Sequence, residues 1–332
     1  MLYQKELEAL YEAFRAHGIH CSWDEDMSRH TTFRIGGSAA LAVWPTGRSQ
    51  LILTLSLWRE LGNRCPLCVL GRGSNVLVSD RGFRGLMVLT SRAKRVVFEE
   101  DAAPDREQFR RRHSYCQVHA ECGVSLVQLS NVCADADREL SGLEFACGIP
   151  GSVGGAIVMN AGAYGSDVER ILLSADYFDL SSGEVGRLRD SEMQLDYRHS
   201  IFMEHPDWIV LSGVFSLSYG NGEAIRNQIR ENRKSRAEKQ PKEPSAGSVF
   251  KRPVGDYAAR LIDKAGLKES RVGGAVVSGK HAGFIVNEGG ATAEDVRALV
   301  RFVQDRVEEL YRYRLECEIR YICDGTDGDT GW

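Results

Sequence analysis

Two glycine-rich segments of this sequence could bring backbone N–H groups close to a phosphate. The first is LGRGSN at residues 70–75, and the second is GIPGSVGGA at residues 148–156. Glycine lets the backbone approach a pyrophosphate without obstruction by a side chain. Neither segment is a Rossmann fingerprint or a P-loop, because the first lacks a third glycine and no Lys-Ser/Thr pair follows either. They indicate either ordinary turns or a dinucleotide held by the loops of a non-Rossmann fold.

Three polar side chains stand out as candidates for catalysis. Arg198 lies in DYRHS, Ser248 follows Gly247 in PSAGSVFK, and Glu318 lies on the polar face of the last strand candidate. Each also has a structural interpretation: Arg198 could form a surface ion pair, Ser248 could lie in a turn, and Glu318 could be a solvated carboxylate. The residue types alone leave both interpretations open.

The cysteine pattern favours reduced thiols without a catalytic role. There are nine cysteines, an odd number, in a long chain whose start lacks the apolar core of an export signal. Cys65 and Cys68 form a CxxC, but no second pair or histidine cluster accompanies them, and the segment continues into an apolar strand candidate. We therefore expect structural thiols, no metal site and a cytoplasmic location.

Composition excludes several classes of protein. The chain has 332 residues, 43% of them hydrophobic, and a net charge of -4. This charge gives no basic surplus that would indicate binding to nucleic acid. The chain also lacks a run of about 18 apolar residues, so we expect no membrane span. The length predicts about two domains of ordinary size. We expect a monomer that acts on small molecules.

The hydrophobic pattern predicts strands and helices in blocks rather than regular βαβ alternation, which favours an α+β fold. Thr292 can cap the most regular helix, at 292–312, with Asp295 at the third helical position. Residues 99–113 are dense in charge and predict a solvated loop, or, as an alternative, a site for an acidic partner at 110–112. Helices are also predicted at 4–17, 126–140, 223–239 and 256–265, and strands at 39–44, 67–70, 76–79, 86–90, 117–121, 208–219 and 315–321.

Seven motifs, in order along the chain, resemble those of the UDP-N-acetylenolpyruvoylglucosamine reductase family, type II branch. The resemblance runs from about residue 30 to residue 322. The motifs are HTTFRIGG (30–37), LGRGSNVL (70–77), GLEFACGIPGSVGGAIVMNAGAYG (142–165), YRHSIF (197–202), SAGSVFKRP (245–253), KHAGFIVN (280–287) and LECEIRYI (315–322).

The resemblance implies an α+β fold of the vanillyl-alcohol oxidase type, in which two subdomains bind FAD and a third α+β domain covers the substrate. The expected divisions are 1–92, 93–222 and 223–323, with a disordered tail at 324–332. The residues that the resemblance places at FAD are Thr31, Arg34, Gly36, Gly71, Gly73, Ser74, Asn75, Gly148, Ile149, Gly151, Ser152, Gly154, Gly155 and Ala156.

The chemistry implied by the resemblance is a two-step hydride transfer in peptidoglycan precursor synthesis. NADPH reduces FAD, and the enolpyruvyl ether of UDP-N-acetylglucosamine then accepts the hydride at C3. Arg198 and Glu318 would stabilise the enolate that develops, and Ser248 would protonate C2. The candidates for substrate binding are Lys239, Lys251, Arg252 and His281.

Three departures from the family pattern bear on these expectations. Glu121 places a negative charge in a segment expected near FAD, Cys147 replaces a small residue, and Cys317 replaces a proline before Glu318. Two other functions remain open, namely another oxidoreductase of the same fold and a nucleotide-binding protein without turnover.

Overall fold

The computed structural model describes residues 3–323. The predicted tail at 324–332 lies outside the described residues. The α-helices are α1 (Gln4–Ala16), α2 (Arg48–Leu57), α3 (Arg106–Arg112), α4 (Leu126–Ala134), α5 (Val153–Val158), α6 (Gly222–Lys239), α7 (Ala258–Lys264) and α8 (Ala293–Tyr311). No helix in this described part is long and apolar enough to cross a membrane.

The strands form three main sheets and two short pairs. They are β1 (His20–Asp26), β2 (Ser38–Trp44), β3 (Leu67–Leu70), β4 (Val76–Val78), β5 (Phe83–Leu89), β6 (Val96–Phe98), β7 (Tyr115–Glu121), β8 (Leu140–Ser141), β9 (Gly162–Ala163), β10 (Ser166–Asp167), β11 (Leu172–Asp179), β12 (Val185–Arg189), β13 (Trp208–Tyr219), β14 (Arg271–Val272), β15 (Ala275–Val277), β16 (Ile285–Asn287) and β17 (Arg320–Ile322). The predicted α+β class is confirmed.

The first sheet has the strand order β1-β2-β5-β3. β1 is antiparallel to β2, whereas β5 is parallel to both of its neighbours. α1 belongs to the same apolar core as β2, because its Leu7, Leu10 and Phe14 are fully buried at helical spacing. This spacing is the one that the sequence predicted for a helix at 4–17.

The second sheet has the strand order β12-β11-β13-β7-β6, and β8 pairs with the end of β13. β13 is the longest strand of the fold and hydrogen-bonds with β11 on one side and β7 on the other. The helix predicted at 126–140 is shorter than expected and ends at Ala134. Asp135 adopts an extended backbone there, and Leu140 pairs with Tyr219, so a turn and a strand occupy the remaining positions.

The third sheet, β14-β15-β16, shares an apolar core with α7 and α8. The predicted cap of the last helix is confirmed, because Asp295 N donates to Thr292 Oγ1 and Thr292 N donates to Asp295 Oδ2, both at 3.0 Å. Asp80, which follows β4, accepts from Ala293 N at 2.7 Å. β17, which follows α8 in the chain, pairs in parallel with β4 from the first part of the chain.

The prediction of a solvated loop at 99–113 is confirmed for exposure, since most of these residues are exposed, but the prediction of a loop is wrong. The segment contains a short 3₁₀ helix and α3, and the side chain of Glu100 is fully buried. Glu100 accepts hydrogen bonds from Arg110 Nε at 2.9 Å, Arg138 Nη1 at 2.5 Å and Tyr219 Oη at 2.8 Å. Glu100 is therefore paired inside the protein, and Arg110 bonds to Glu100 rather than being presented to an acidic partner, whereas Arg111 and Arg112 are exposed.

The strand predicted at 315–321 is also shorter than expected. Only Arg320–Ile322 forms a continuous strand, and Cys317 makes an isolated antiparallel bridge with Phe250. The alternation still holds for burial, since Leu315 and Ile319 are each 1% exposed. Of the polar residues of this segment, Glu318 and Arg320 line a cavity.

Candidate active site

A cavity of about 940 Å³ lies where the two glycine-rich segments meet. Cofactor and small-molecule sites commonly have volumes of about 300–1,000 Å³, so this cavity is large enough for a dinucleotide. Of the predicted cofactor residues, ten line it: Gly71, Gly73, Ser74, Asn75, Ile149, Gly151, Ser152, Gly154, Gly155 and Ala156. The three predicted catalytic residues line it as well: Arg198, Ser248 and Glu318.

The first loop, 71–75, connects β3 to β4 and is suited to binding an anion. Within residues 3–323, none of its five backbone N–H groups donates to a protein acceptor. A Cβ at Gly71 would collide with Ser152 Oγ, and a Cβ at Gly73, where φ is +61°, would collide with the carbonyl oxygen of His30. The glycines therefore allow a close approach between the two loops and leave N–H donors for a ligand.

The second loop leads into α5. Ser152 caps this helix by accepting from Gly155 N at 3.3 Å, while Val153 N and Gly154 N donate to the carbonyls of Val124 and Cys122 at 2.8 Å. The first N–H groups of the helix are thus bonded within the protein. The N–H groups of Gly151 and Ser152, just before the helix, have no acceptor in the described part of the chain. These two donors, rather than the helix terminus, are available to a phosphate.

Arg198 and Glu318 form a mostly buried ion pair in the lining of the cavity. Arg198 Nε donates to Glu318 Oε1 at 2.6 Å, and Arg198 Nη2 donates to the carbonyl of Gly162 at 3.3 Å. Burial raises the pKa of the Glu318 carboxyl, and the positive charge of Arg198 opposes this rise. The site therefore holds a cation and a carboxyl group that keeps its proton to a higher pH than usual.

Ser248 is held beside this pair by backbone hydrogen bonds. Gly247, with φ of +80°, turns the chain before it, and Ser248 then bridges to Phe284. The next residue, Val249, accepts from Glu318 N at 2.7 Å. Ser248 is exposed toward the cavity, and in residues 3–323 its hydroxyl has no hydrogen-bond partner. Its proton is consequently available to a bound molecule.

Four predicted cofactor residues do not line the cavity. Thr31 is buried and donates to the carbonyl of Ile35 at 3.1 Å, and Arg34 lies in the same turn with φ of +55°. Gly36 packs against Val78 and Met27, where a Cβ would lie 2.8 Å from the Cβ of Val78. Gly148 packs against the side chain of Arg236. The 31–36 turn supports the first loop from behind, since the neighbouring Thr32 N donates to the carbonyl of Gly73 at 3.0 Å.

The four predicted substrate residues also lie outside the lining. Lys239 is exposed at the end of α6, and Lys251 pairs with Glu316 at 2.5 Å. The guanidinium of Arg252 stacks on the rings of Tyr197 and Tyr257. His281 Nδ1 accepts from Gly283 N at 3.2 Å, and burial lowers the pKa of its imidazole.

Other basic residues line the cavity and were missed from the sequence. They are Arg72, Arg233, Arg236, Lys242 and Arg320. The three-residue spacing of Arg233 and Arg236 places both on one face of the charged helix α6, and this spacing was a usable signal.

The three departures from the family pattern, Glu121, Cys147 and Cys317, all lie outside the lining of the cavity. Glu121 is absent from the lining, and its two carboxylate oxygens accept from Arg48 N at 3.0 Å and Arg95 N at 2.9 Å. The Glu121 carboxylate thus binds the backbone at the start of α2 and just before β6. Cys68 and Cys122 do line the cavity, but burial raises the pKa of each thiol to about 12, so both are uncharged thiols near neutral pH.

Comparisons with known proteins agree with this geometry. Residues 39–189 match the family model described as FAD binding domain. Residues 240–322 match the family model described as UDP-N-acetylenolpyruvoylglucosamine reductase, C-terminal domain. Both glycine loops fall within the first match and both Ser248 and Glu318 within the second.

Close relatives cover most of the chain. The chain is 42% identical over 301 residues to UDP-N-acetylenolpyruvoylglucosamine reductase of Clostridium botulinum, with 90% of this chain and 91% of that protein aligned. It is 43% identical over 300 residues to the reductase of Rubrobacter xylanophilus, with 90% and 94% aligned.

A solved structure has the same fold. The crystal structure of UDP-N-acetylenolpyruvylglucosamine reductase from Thermus caldophilus matches with a TM-score of 0.70 at 33% identity, over 91% of this chain and 98% of that one. The expected FAD-binding architecture is thereby confirmed. These relatives and this crystal structure show that the chain belongs to the UDP-N-acetylenolpyruvoylglucosamine reductase family.

Proposed function

We propose that this chain reduces UDP-N-acetylenolpyruvoylglucosamine to UDP-N-acetylmuramate, with FAD as bound cofactor and NADPH as co-substrate. The observation that carries the proposal is that Arg198, Ser248 and Glu318, from separate parts of the chain, line one cavity together with two loops suited to a dinucleotide. The reaction is the reductive step of peptidoglycan precursor synthesis.

The two glycine loops fit FAD because their backbone N–H groups at 71–75 and 151–152 have no acceptor within residues 3–323. Such donors bind a pyrophosphate without adding side-chain bulk. FAD held by these loops would supply the hydride-transfer chemistry between NADPH and C3 of the enolpyruvyl group. Leu126, Ile149 and Ala156 add apolar surface to the same cavity.

Arg198 and Glu318 would stabilise the charge that develops in the substrate. Addition of hydride at C3 leaves negative charge at C2, and this charge spreads into the substrate's carboxylate. Arg198, whose Nε and Nη2 are held by Glu318 and the Gly162 carbonyl, offers a preoriented cation. Burial raises the pKa of the Glu318 carboxyl. In its protonated form, Glu318 would donate a hydrogen bond to the same charge.

Ser248 would supply the proton that C2 needs. A hydroxyl is a weak acid, but an enolate carbon is a strong base, so a well-placed serine is sufficient. The hydroxyl of Ser248 faces the cavity, and its backbone position is set by the Val249–Glu318 hydrogen bond.

The remaining assignments are parts of the same proposal. Lys239 would lie near the substrate, and Lys251, Arg252 and His281 would contact its diphosphate or carboxylate, although none of the four lines the cavity. The domain divisions would fall at 1–92, 93–222 and 223–323, and the protein would act as a cytoplasmic monomer.

The proposal is tested with purified yellow protein under anaerobic conditions. NADPH should bleach the flavin absorbance, and addition of the enolpyruvyl nucleotide should restore it, with one UDP-N-acetylmuramate formed per flavin. Bleaching without reoxidation by this nucleotide would indicate another oxidoreductase of the same fold. Bound flavin that NADPH does not bleach would indicate a nucleotide-binding protein without turnover.

A further inference from the structure

Arg236 is a cation that lines the cavity without an acidic partner. It lies near the end of α6, and in residues 3–323 its guanidinium makes no hydrogen bond and no ion pair. Its neighbour Arg233 lines the same cavity, but donates to Asn131 Oδ1. Arg236 therefore differs from the other arginines of this helix in having its donors unused.

Two groups that interact electrostatically with Arg236 are uncharged near neutral pH. Tyr164 and Cys147 are its electrostatic neighbours, and burial raises the pKa of both the phenol and the thiol. Burial likewise lowers the pKa of Arg236 itself. A desolvated cation without a counter-charge is costly, and an anion that enters the cavity would remove that cost.

Gly148 makes room for this side chain. A Cβ at Gly148 would lie 2.6 Å from Cδ of Arg236, a distance that real contacts do not reach. Gly148 has no positive φ, so its backbone accepts alanine, and the three atoms nearest to an added Cβ all belong to Arg236. The absence of a side chain at 148 thus lets Arg236 lie across the start of the second loop.

We propose that Arg236 binds the pyrophosphate of FAD, and that Gly148 serves the cofactor indirectly by allowing the guanidinium to reach it. Only the identity of the dinucleotide rests on the proposed function. The residues just after Gly148 line the cavity, among them Ile149, Gly151 and Ser152. In the described part of the chain, the backbone N–H groups of Gly151 and Ser152 have no acceptor. A guanidinium laid across this loop complements those donors, because it can bind two phosphate oxygens at once.

The first test measures FAD affinity without any substrate. Purified holoenzyme is diluted in steps, and the recovery of flavin fluorescence gives the Kd. Arg236→Met should raise this Kd by about 10–100-fold, the usual effect of losing a charge-assisted contact, and Arg236→Lys should raise it less. Arg230→Met, on the same helix but outside the cavity, is the matched control and should leave the Kd unchanged. Thermal unfolding of the flavin-free proteins checks that each variant folds.

The second test is a double-mutant cycle. Gly148→Ala should weaken FAD binding by about tenfold in the parent protein, but by less than twofold when Arg236 is already methionine, because the two residues act through one contact. Additive effects of the two substitutions would overturn the role of Gly148.

Two outcomes would overturn the assignment of Arg236. One is an unchanged Kd for FAD in folded Arg236→Met. The other is an unchanged Kd for FAD with a raised KM for the enolpyruvyl nucleotide, which would place the guanidinium at the substrate's diphosphate. The Kd for FAD is measured without substrate and does not depend on turnover, so a failure of the proposed function remains distinguishable from a failure of this assignment.

Discussion

Arg198 Nε donates to Glu318 Oε1 at 2.6 Å, although 120 residues separate the two along the chain. Arg198 also has a φ of +55°, a backbone conformation that costs a residue with a side chain about 1–2 kcal/mol. Its side chain is held further by the carbonyl of Gly162 at 3.3 Å. The surrounding structure therefore maintains a strained residue in order to aim a guanidinium into the cavity, as is common at active sites.

Glu318→Gln should impair only the step that consumes the substrate. Glutamine keeps the shape of the side chain and can still accept from Arg198, so folding, FAD content and flavin bleaching by NADPH should stay near normal. Reoxidation by the enolpyruvyl nucleotide should slow by about 10²–10³-fold, because an amide is a weaker hydrogen-bond donor to the developing charge than a protonated carboxyl group. Stopped-flow absorbance measures both steps, and slow bleaching by NADPH would refute the assignment.

The pH profile of the parent protein gives an independent check of Glu318. Burial raises the pKa of this carboxyl, so the protonated form persists to a higher pH than for an ordinary glutamate. The rate of reoxidation should therefore be highest below that pKa and fall as the pH rises through it. Glu318→Gln should lose this limb of the profile, and retention of the limb would assign it to another group.

Ser248→Ala should preserve flavin bleaching by NADPH and slow reoxidation by about 10²–10⁴-fold, the usual effect of removing a positioned acid. Little volume is lost, and the backbone hydrogen bonds of the neighbouring Val249 remain. Ser248→Cys should keep more activity than Ser248→Ala, since a thiol is the stronger acid. Single-turnover reoxidation of pre-reduced enzyme is the measurement, with the stereochemistry at C2 read in deuterated solvent.

Two results would contradict the role of Ser248. Equal slowing of both steps would mean that the serine only shapes the site. An unchanged rate of reoxidation in Ser248→Ala would mean that water or another side chain donates the proton.

Glu100→Gln should destabilise the protein by about 3 kcal/mol at pH 7, because it leaves Arg110 and Arg138 without their buried counter-charge. Burial opposes ionisation of Glu100, but hydrogen bonds from Arg110, Arg138 and Tyr219 outweigh it and lower the pKa to about 2. Urea unfolding measures the loss. Glu107→Gln, in the same segment but in an exposed pair with Arg111, should change stability by less than about 0.5 kcal/mol.

The same cluster predicts a pH dependence of stability. A carboxyl whose pKa is lowered by folding contributes its full stabilisation above its unfolded pKa and loses it as the pH falls through the folded pKa. The contribution of Glu100 should therefore disappear between the ordinary value of 4.5 and about 2. The stability difference between parent and Glu100→Gln should shrink across this interval, and a constant difference would contradict the ion-pair account.

Replacement of Cys122 and Cys147 by alanine should leave turnover within a few-fold of the parent. Both thiols are buried, and burial raises the pKa of each, so neither is a thiolate near neutral pH. Removing two buried sulfur atoms should lower the free energy of unfolding by a few kcal/mol. Complete loss of turnover with FAD still bound would contradict this prediction.

Much of the local structure was determined by the sequence. The spacing of Val296, Leu299, Val300 and Val303, after a threonine cap, was enough to predict α8 to within one residue at each end. Strand β3 was predicted with its observed bounds. These features depend on the periods of helix and strand and on capping groups within a few residues, and all of that information is local. The ordered motifs likewise predicted the family and the cofactor, and ten of the fourteen residues that they place at FAD line the cavity.

Other features were decided only by the tertiary structure. The charges at 99–113 have no apolar period and predict a solvated loop, yet Glu100 is buried, because Arg138 and Tyr219 arrive from distant segments to neutralise it. Glu318 lies on the polar side of the alternating segment 315–321 whether that side faces water or a cavity. Whether that side meets water or a cavity depends on Arg198 and on the 248–250 segment folding against it. Long-range pairs of this kind leave no periodic signal, since the free energy of a charge depends on which partners the fold brings to it.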